Sequence, residues 1–161
     1  MKNRKIFALF LAVLTLVSVL SVTVAARGYS VISNKGVALE FPTGYDFLSS
    51  AKKATVKAAR ANGSIYYMPA PESGNGNLGN VRNGETVYLV AKRNGYYFFV
   101  TEEGLMGWNG AKNFKVKESA DYIDVLEIAD SPVCRELYDE GEVFLPDYCD
   151  FMNCLESFAY D

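Results

Sequence analysis

Hydrophobic and polar positions alternate most clearly between Thr86 and Lys92. Val87, Leu89 and Ala91 fall on one side, and Thr86, Tyr88, Val90 and Lys92 on the other. A period of two predicts a β-strand. The run from Tyr96 to Thr101 is wholly aromatic or β-branched, and such side chains suit a pleated, half-buried surface. Between the two runs lies Asn94-Gly95. A type I′ turn needs positive φ at both central residues, so this dipeptide predicts a tight hairpin. Glu103-Gly104 predicts the next turn, and Leu105 to Trp108 the strand that leads back.

Upstream the pattern is weaker. Val37 to Phe41 predicts a short strand, stopped by Pro42 and Gly44, in a linker-like lead segment spanning 27–52. Thr55 to Ala59 reads as the first strand of the body and Ser64 to Met68 as the second, separated by Asn62-Gly63. Ser73 to Asn83 is rich in Gly and Asn, which tolerate the left-handed backbone of tight turns, and so predicts a surface loop. Short, evenly spaced strands imply a mainly β fold, a small antiparallel barrel over 53–117, since closure removes exposed edges.

Beyond position 117 the period changes. Acidic residues stand at 118, 121, 124, 127 and 130, with Tyr122, Val125, Leu126 and Ala129 forming one helical face. Like charges three apart destabilise a free helix, so this helix must pack on something. Ser131-Pro132 predicts the start of a short helix ending near Gly141. Asp147 predicts the cap of a last helix, in which Tyr148, Phe151, Met152, Leu155, Phe158 and Ala159 make an apolar stripe. The segment 118–161 is therefore read as a helical, acidic C-terminal extension.

The first 26 residues have another character. Lys2, Arg4 and Lys5 precede nineteen uncharged residues, Ile6 to Val24, and the small Ala25 and Ala26 follow. That order is a secretory signal with cleavage after Ala26. The competing reading is an uncleaved anchor, since about 20 apolar residues span a bilayer. Either way the remainder is expected outside the cytoplasm, secreted or at the cell surface, with the membrane a partner only in the second case. Cleavage leaves 135 of the 161 residues, enough for one domain.

Charge divides the mature chain. Residues 27–117 hold 12 basic and 6 acidic residues, and 118–161 hold 13 acidic residues and the single basic Arg135. A basic body with an acidic tail points to a charged partner, or to a tail that covers its own body. Nucleic acid is not expected, because the basic residues are scattered in sequence and the net charge repels phosphate.

The three cysteines, Cys134, Cys149 and Cys154, all lie in the tail, where export permits disulfides. On one helix Cys149 and Cys154 face about 140° apart. At most one of them pairs with Cys134, leaving an odd thiol; the competing reading keeps all three reduced. No histidine occurs anywhere, which removes Ser-His and Cys-His pairs and histidine metal sites. No Gly-rich phosphate loop follows a strand. The carboxylates of the tail lack calcium-loop spacing. No catalytic residue, cofactor or metal is expected.

Gly95-Tyr96-Tyr97-Phe98-Phe99-Val100, then Glu103-Gly104, then Gly107-Trp108 resembles the end of a bacterial Src-homology-3 domain. Val81-x-x-Gly84-x-x-Val87 is similar to that family's entry into its central hairpin, Ile65 to Pro71 to the start of its long first loop, and Trp108 to Phe114 to its closing helical turn and last strand. The resemblance covers about residues 53–117. This sequence departs from it in Tyr96, where the family usually has Trp, in Phe98, where it has a polar residue, and in Tyr66-Tyr67-Met68, where it has Asn-Val-Arg.

The resemblance implies an SH3-like barrel and a non-enzymatic binding module whose ligand is a cell-wall glycan or peptide, or a surface protein. Its aromatic groove would be edged by Tyr66, Tyr67, Tyr96 and Trp108. On strand Tyr96 to Thr101, the pair Tyr96 and Phe98 faces opposite to Tyr97 and Phe99, so one pair is expected in the core and the other at the surface or under the tail. The alternative reading, drawn from the acidic tail, is an exported inhibitor or partner subunit that engages a basic protein.

Overall fold

Asn94 and Gly95 take φ values of 51° and 82°, so the tight turn expected of that dipeptide is present. In the computed structural model, described over residues 30–32, 38–74, 76–130 and 145–161, the chain is mainly β. The strands are β1 (Ser30–Ile32), β2 (Ala38–Glu40), β3 (Phe47–Val56), β4 (Ser64–Tyr67), β5 (Gly79–Arg82), β6 (Thr86–Arg93), β7 (Tyr96–Thr101), β8 (Met106–Gly110) and β9 (Phe114–Ala120). A 3-10 turn over Ala111–Asn113 joins β8 to β9. Two helices follow, α1 (Tyr122–Ala129) and α2 (Leu145–Tyr160).

Five strands form one antiparallel sheet in the order β8-β7-β6-β3-β9. β1 pairs with β2 and β4 with β5, and a bridge between Met68 and Trp108 ties the end of β4 to β8. Several elements differ from the sequence reading. β3 runs Phe47–Val56 rather than Thr55 to Ala59, so the last six residues of the presumed linker, 47–52, belong to the central sheet. β5 forms inside the presumed loop of 73–83. β9 runs on to Ala120, across position 118, because Ala120 pairs with Ala51. α2 begins at Leu145, which puts Asp147 in its first turn rather than at its cap.

The strands β6 and β7 at the centre of the sheet are buried on both faces, whereas β9 at its edge is mostly exposed. Val87 and Leu89 pack with Val56, Ile65, Val81, Phe99 and Phe114 on one side. Tyr88, Val90, Phe98 and Trp108 pack on the other with the lead segment and the tail. Leu89 pairs with Phe99 and Ala91 with Phe98, which leaves Val90 as a bulge. A bulge inserts one residue and shifts the alternation, so Ala91 joins Tyr88 and Val90 instead of Leu89.

The tail docks through its apolar stripe. Phe151 stacks on Phe41 with ring centres 4.8 Å apart, and Phe158 stacks on Tyr122 at 5.0 Å and on Phe47 at 5.3 Å. In α1, Asp121 caps the helix by accepting the Ile123 N–H at 3.0 Å, and Tyr122, Val125 and Ala129 turn inwards. The Tyr122 hydroxyl reaches the carbonyls of Leu48 at 2.8 Å and Val90 at 3.0 Å. Both carbonyls sit where the strand ladders shift register. The phenol thus satisfies groups that the bulges release, and burial pushes its pKa far above the ordinary tyrosine value.

A second clamp fastens the lead segment. Arg93 pairs with Glu40 through one guanidinium nitrogen and with Asp46 through another. Burial alone would raise the Asp46 pKa. Hydrogen bonds from Arg93 and Thr43, with the Arg93 charge, outweigh that and hold the carboxyl below its usual range.

Candidate functional site

The four aromatic residues expected to edge one groove occupy three different environments. Trp108 is wholly buried, its indole N–H donating to the Glu40 carbonyl at 2.6 Å and its ring 5.2 Å from that of Phe98. It offers no ring face to a ligand, so the groove edge expected there is corrected to a core residue. Tyr67 points to the opposite face of its strand, edge-on to Phe99 at 6.2 Å. Its ring fills a space left by two glycines: a Cβ at Gly79 would lie 2.5 Å from the phenol oxygen, and one at Gly107 would lie 2.9 Å from the ring. Burial raises its pKa. Tyr67 is thus a packing residue as well.

Tyr66 and Tyr96 remain. Tyr66 is 49 % exposed. Tyr96 is half-buried and packs against the Phe98 side of the sheet. Tyr96 pairs with Gly110, and two residues along the same strands Phe98 pairs with Trp108, which bridges Met68. Continuing that antiparallel register by two residues sets Tyr66 level with Gly110. Beyond the bridge the Asn109 side-chain amide donates across to the Tyr66 carbonyl. Asn113 Nδ2 donates in turn to Asn109 Oδ1 at 2.5 Å, fixing the buried amide.

Two tyrosines therefore stand on either side of a glycine, at least two strand spacings apart, about 10 Å. Gly110 has an ordinary φ of −57°. A Cβ there would meet only Asn113 Nδ2, at 3.9 Å. Neither backbone strain nor crowding demands glycine at this position, and the missing side chain leaves the space between the tyrosines open. Gly110 was not among the residues expected from sequence. The signal available was its place after Trp108, without any indication of which strand would flank it.

The remaining aromatics are covered. Phe98 lies under Phe41 and Phe151 at 6.0 and 5.8 Å, and Phe99 lies in the opposite core against Phe114 at 5.2 Å. Tyr97 and Phe99 thus face one core while Tyr96 and Phe98 face the side covered by the lead segment and the tail, the second of the two placements expected for that pair. Cys154 is half-buried on α2 against the core. Cys134, the signal segment, the Ser131 to Gly141 helix and the carboxylates of 131–144 lie outside the described residues. Cys149 and Tyr148 are described in their backbone alone.

Among the described residues no three His, Cys, Asp or Glu side chains converge on one point, and no helix is long and apolar enough to cross a membrane. Compared with protein-family models, curated proteins and solved structures, the chain matches none.

Proposed function

We propose that the chain is an exported, non-enzymatic binding module of the bacterial Src-homology-3 kind, secreted or held at the cell surface, which recognises a cell-wall component or a surface protein. The fold part of this reading draws on the run of short antiparallel strands, the hairpin at Asn94-Gly95, the bridge from β4 to β8 and the 3-10 turn before the last strand. On this reading the sheet closes into a small barrel. The functional part rests on one observation: Tyr66 and Tyr96 flank the open space over Gly110. Flat aromatic faces with a phenol at the tip bind both apolar surface and hydrogen-bonding groups, which suits the ring faces of sugars and the side chains of peptides.

The test is retention of the full chain on purified cell wall. Wild type is retained. Tyr66→Ala removes one wall of the slot, and Gly110→Leu fills it without strain; each lowers retention at least tenfold while the circular dichroism spectrum stays unchanged. Wild-type passage through the column unretained would count against a wall ligand.

A second reading has its own observation. Asp121, Asp124, Glu127 and Asp130 are all exposed on α1, while its apolar side faces the sheet. The tail then presents an acidic face to a basic protein, and the chain acts as an exported inhibitor or partner subunit. Binding that survives Asp124→Asn with Glu127→Gln would reject it.

A further inference from the structure

The fold gathers basic residues that the sequence scatters. Lys57 and Arg60, then Arg82, then Lys112 and Lys115 stand on three separate segments of the chain, and all five are exposed. Backbone contacts bring them to one end of the sheet. The Lys57 N–H donates to the Asn113 carbonyl at 2.8 Å, which sets Lys57 beside the 3-10 turn that carries Lys112. Lys115 pairs with Thr55, two residues before Lys57. Arg82 pairs with Ser64, at the foot of the 57–63 loop that carries Arg60.

That loop is held in place. Asn83 Oδ1 accepts the Ala58 N–H at 2.8 Å, its Nδ2 donates to the Ala61 carbonyl at 3.1 Å, and its backbone N–H donates to the Gly63 carbonyl at 2.9 Å. One side chain and its backbone thus pin the loop at three points, so the cations sit on a prepared platform.

Among the described residues no carboxylate forms an ion pair with any of the five. Glu85 shares this end, its N–H donating to the Arg82 carbonyl, and so do the exposed Glu102 and Glu103, because Thr101 pairs with Val87 beside Thr86; the excess is two positive charges. The acids of α1 are remote. α1 follows Ala120, which pairs with Ala51, and is anchored at the Leu48 carbonyl. Those points lie five and eight residues along β3 from Val56, about 16 and 26 Å at the strand rise. The Debye length is about 10 Å at 0.1 M salt, so the acidic tail helix does not cancel the field at the cationic end.

We infer that this end of the sheet, distinct from the tyrosine slot, binds a flexible linear polymer of phosphates. Charge is the reason for an anion, and the spread of five cations over three separate segments is the reason for a polymer rather than a single phosphate. The platform residues 57–64, 82–85, 111–113 and 115 carry no aromatic side chain of their own; the exposed Tyr66 lies two residues along β4 from Ser64, at the border with the slot. The cations read phosphates, and the occupant is a polymer of phosphates that needs no base in order to bind.

Long-chain inorganic polyphosphate is the probe, titrated by calorimetry into the full chain at several salt concentrations. Wild type binds, and log K falls with log salt with a slope of about −3, as expected for four to five neutralised phosphates at about 0.7 each. Arg60→Gln with Lys112→Gln lowers affinity at least tenfold at low salt and flattens the slope by about 1.4. Lys52→Gln, four residues along β3 from Val56 and bonded to Ser50 and Ser119 instead, leaves both unchanged. Equal losses from Lys52→Gln would show a general charge effect and overturn the assignment, as would an unaltered slope in the double variant. Single-stranded DNA bound more tightly than polyphosphate of equal charge would show that bases add to binding and overturn an occupant read by its phosphates. Gly110→Leu leaves polyphosphate binding intact, which separates this surface from the slot.

Discussion

Removing the Phe151 ring tests whether the tail belongs to the core. Phe151 is 1 % exposed, stacks on Phe41 and touches Phe98 at 5.8 Å and Phe47 at 6.1 Å. Replacing a buried Phe by Ala removes the transfer energy of the ring and leaves a cavity, about 3 to 5 kcal/mol together. Single domains have only about 5 to 15 kcal/mol of net stability, so the loss is a large fraction. With a urea m-value of about 2 kcal/mol/M, Phe151→Ala lowers the unfolding midpoint by about 1.5 to 2.5 M. Trp108 is the only tryptophan, is fully buried and lies 5.2 Å from Phe98, so its fluorescence follows the same core. Wild type and variant should each show one transition, coincident by fluorescence and circular dichroism. Tyr160→Ala, at a residue 74 % exposed on the same helix, serves as control and changes stability by less than about 0.5 kcal/mol. A loss below about 1 kcal/mol for Phe151→Ala, or tryptophan emission indifferent to it, would refute an integral tail.

Tyr122→Phe keeps the ring and removes only the hydroxyl, leaving two buried carbonyls short of a donor; urea denaturation should show a loss of about 1 to 2 kcal/mol. Asp46→Asn breaks one arm of the Arg93 clamp and costs about 1 to 2 kcal/mol at neutral pH. The folded-state pKa of Asp46 is depressed, so the ionic contribution is complete above the unfolded value of about 3.9 and is lost as pH falls through the folded value. The gap between variant and wild type should therefore close below about pH 4, and a full gap at pH 2.5 would reject an ionic clamp. Gly95, at φ +82°, should lose about 1 kcal/mol on substitution by Ala. Gly110→Ala, at an ordinary φ, should be neutral by the same melting assay.

What the sequence disclosed followed from regular patterning. The Asn94-Gly95 hairpin, the strands on either side, the turn at Gly104 and the inward face Tyr122, Val125 and Ala129 all appear where the pattern placed them. Of β3 only Thr55 and Val56 were expected, because Phe47 to Ala54 has no clean alternation. Its buried positions fall at 47, 51, 54 and 56, an uneven spacing that the register shift between Phe47 and Lys52 produces. β5 was missed because Gly79 and Asn80 belong to a loop by composition, whereas Gly79 is needed as the space into which Tyr67 fits. The candidate groove was half legible. Alternation puts Tyr66 and Tyr67 on opposite faces of β4, which separates them without any coordinates. Trp108 and Gly110 depended on which strand lies next to β8, a tertiary fact that no local pattern carries.

β6 explains why the tail is obligatory and what that leaves exposed. Its five successive buried residues, Val87 to Ala91, give apolar surface to both sides of the sheet, and a strand of this kind needs cover on both. On one side the cover is Phe41 and Phe47 from the lead segment with Tyr122, Val125, Phe151 and Leu155 from the tail. Each fully buried apolar side chain contributes about 1.5 to 3 kcal/mol, against a few tenths for each like-charged pair along α1. Packing thus outweighs the repulsion among Asp121, Asp124, Glu127 and Asp130; Asp121 caps the helix, whereas Asp124 and Glu127 are tolerated on its exposed side. Asp124→Asn with Glu127→Gln should then raise the melting temperature slightly. If those acids engage a partner, the same variant should lose binding, so stability and function would move in opposite directions. Destabilisation by this pair would mean that the charges serve the fold instead, and the acidic face would lose its claim to a partner.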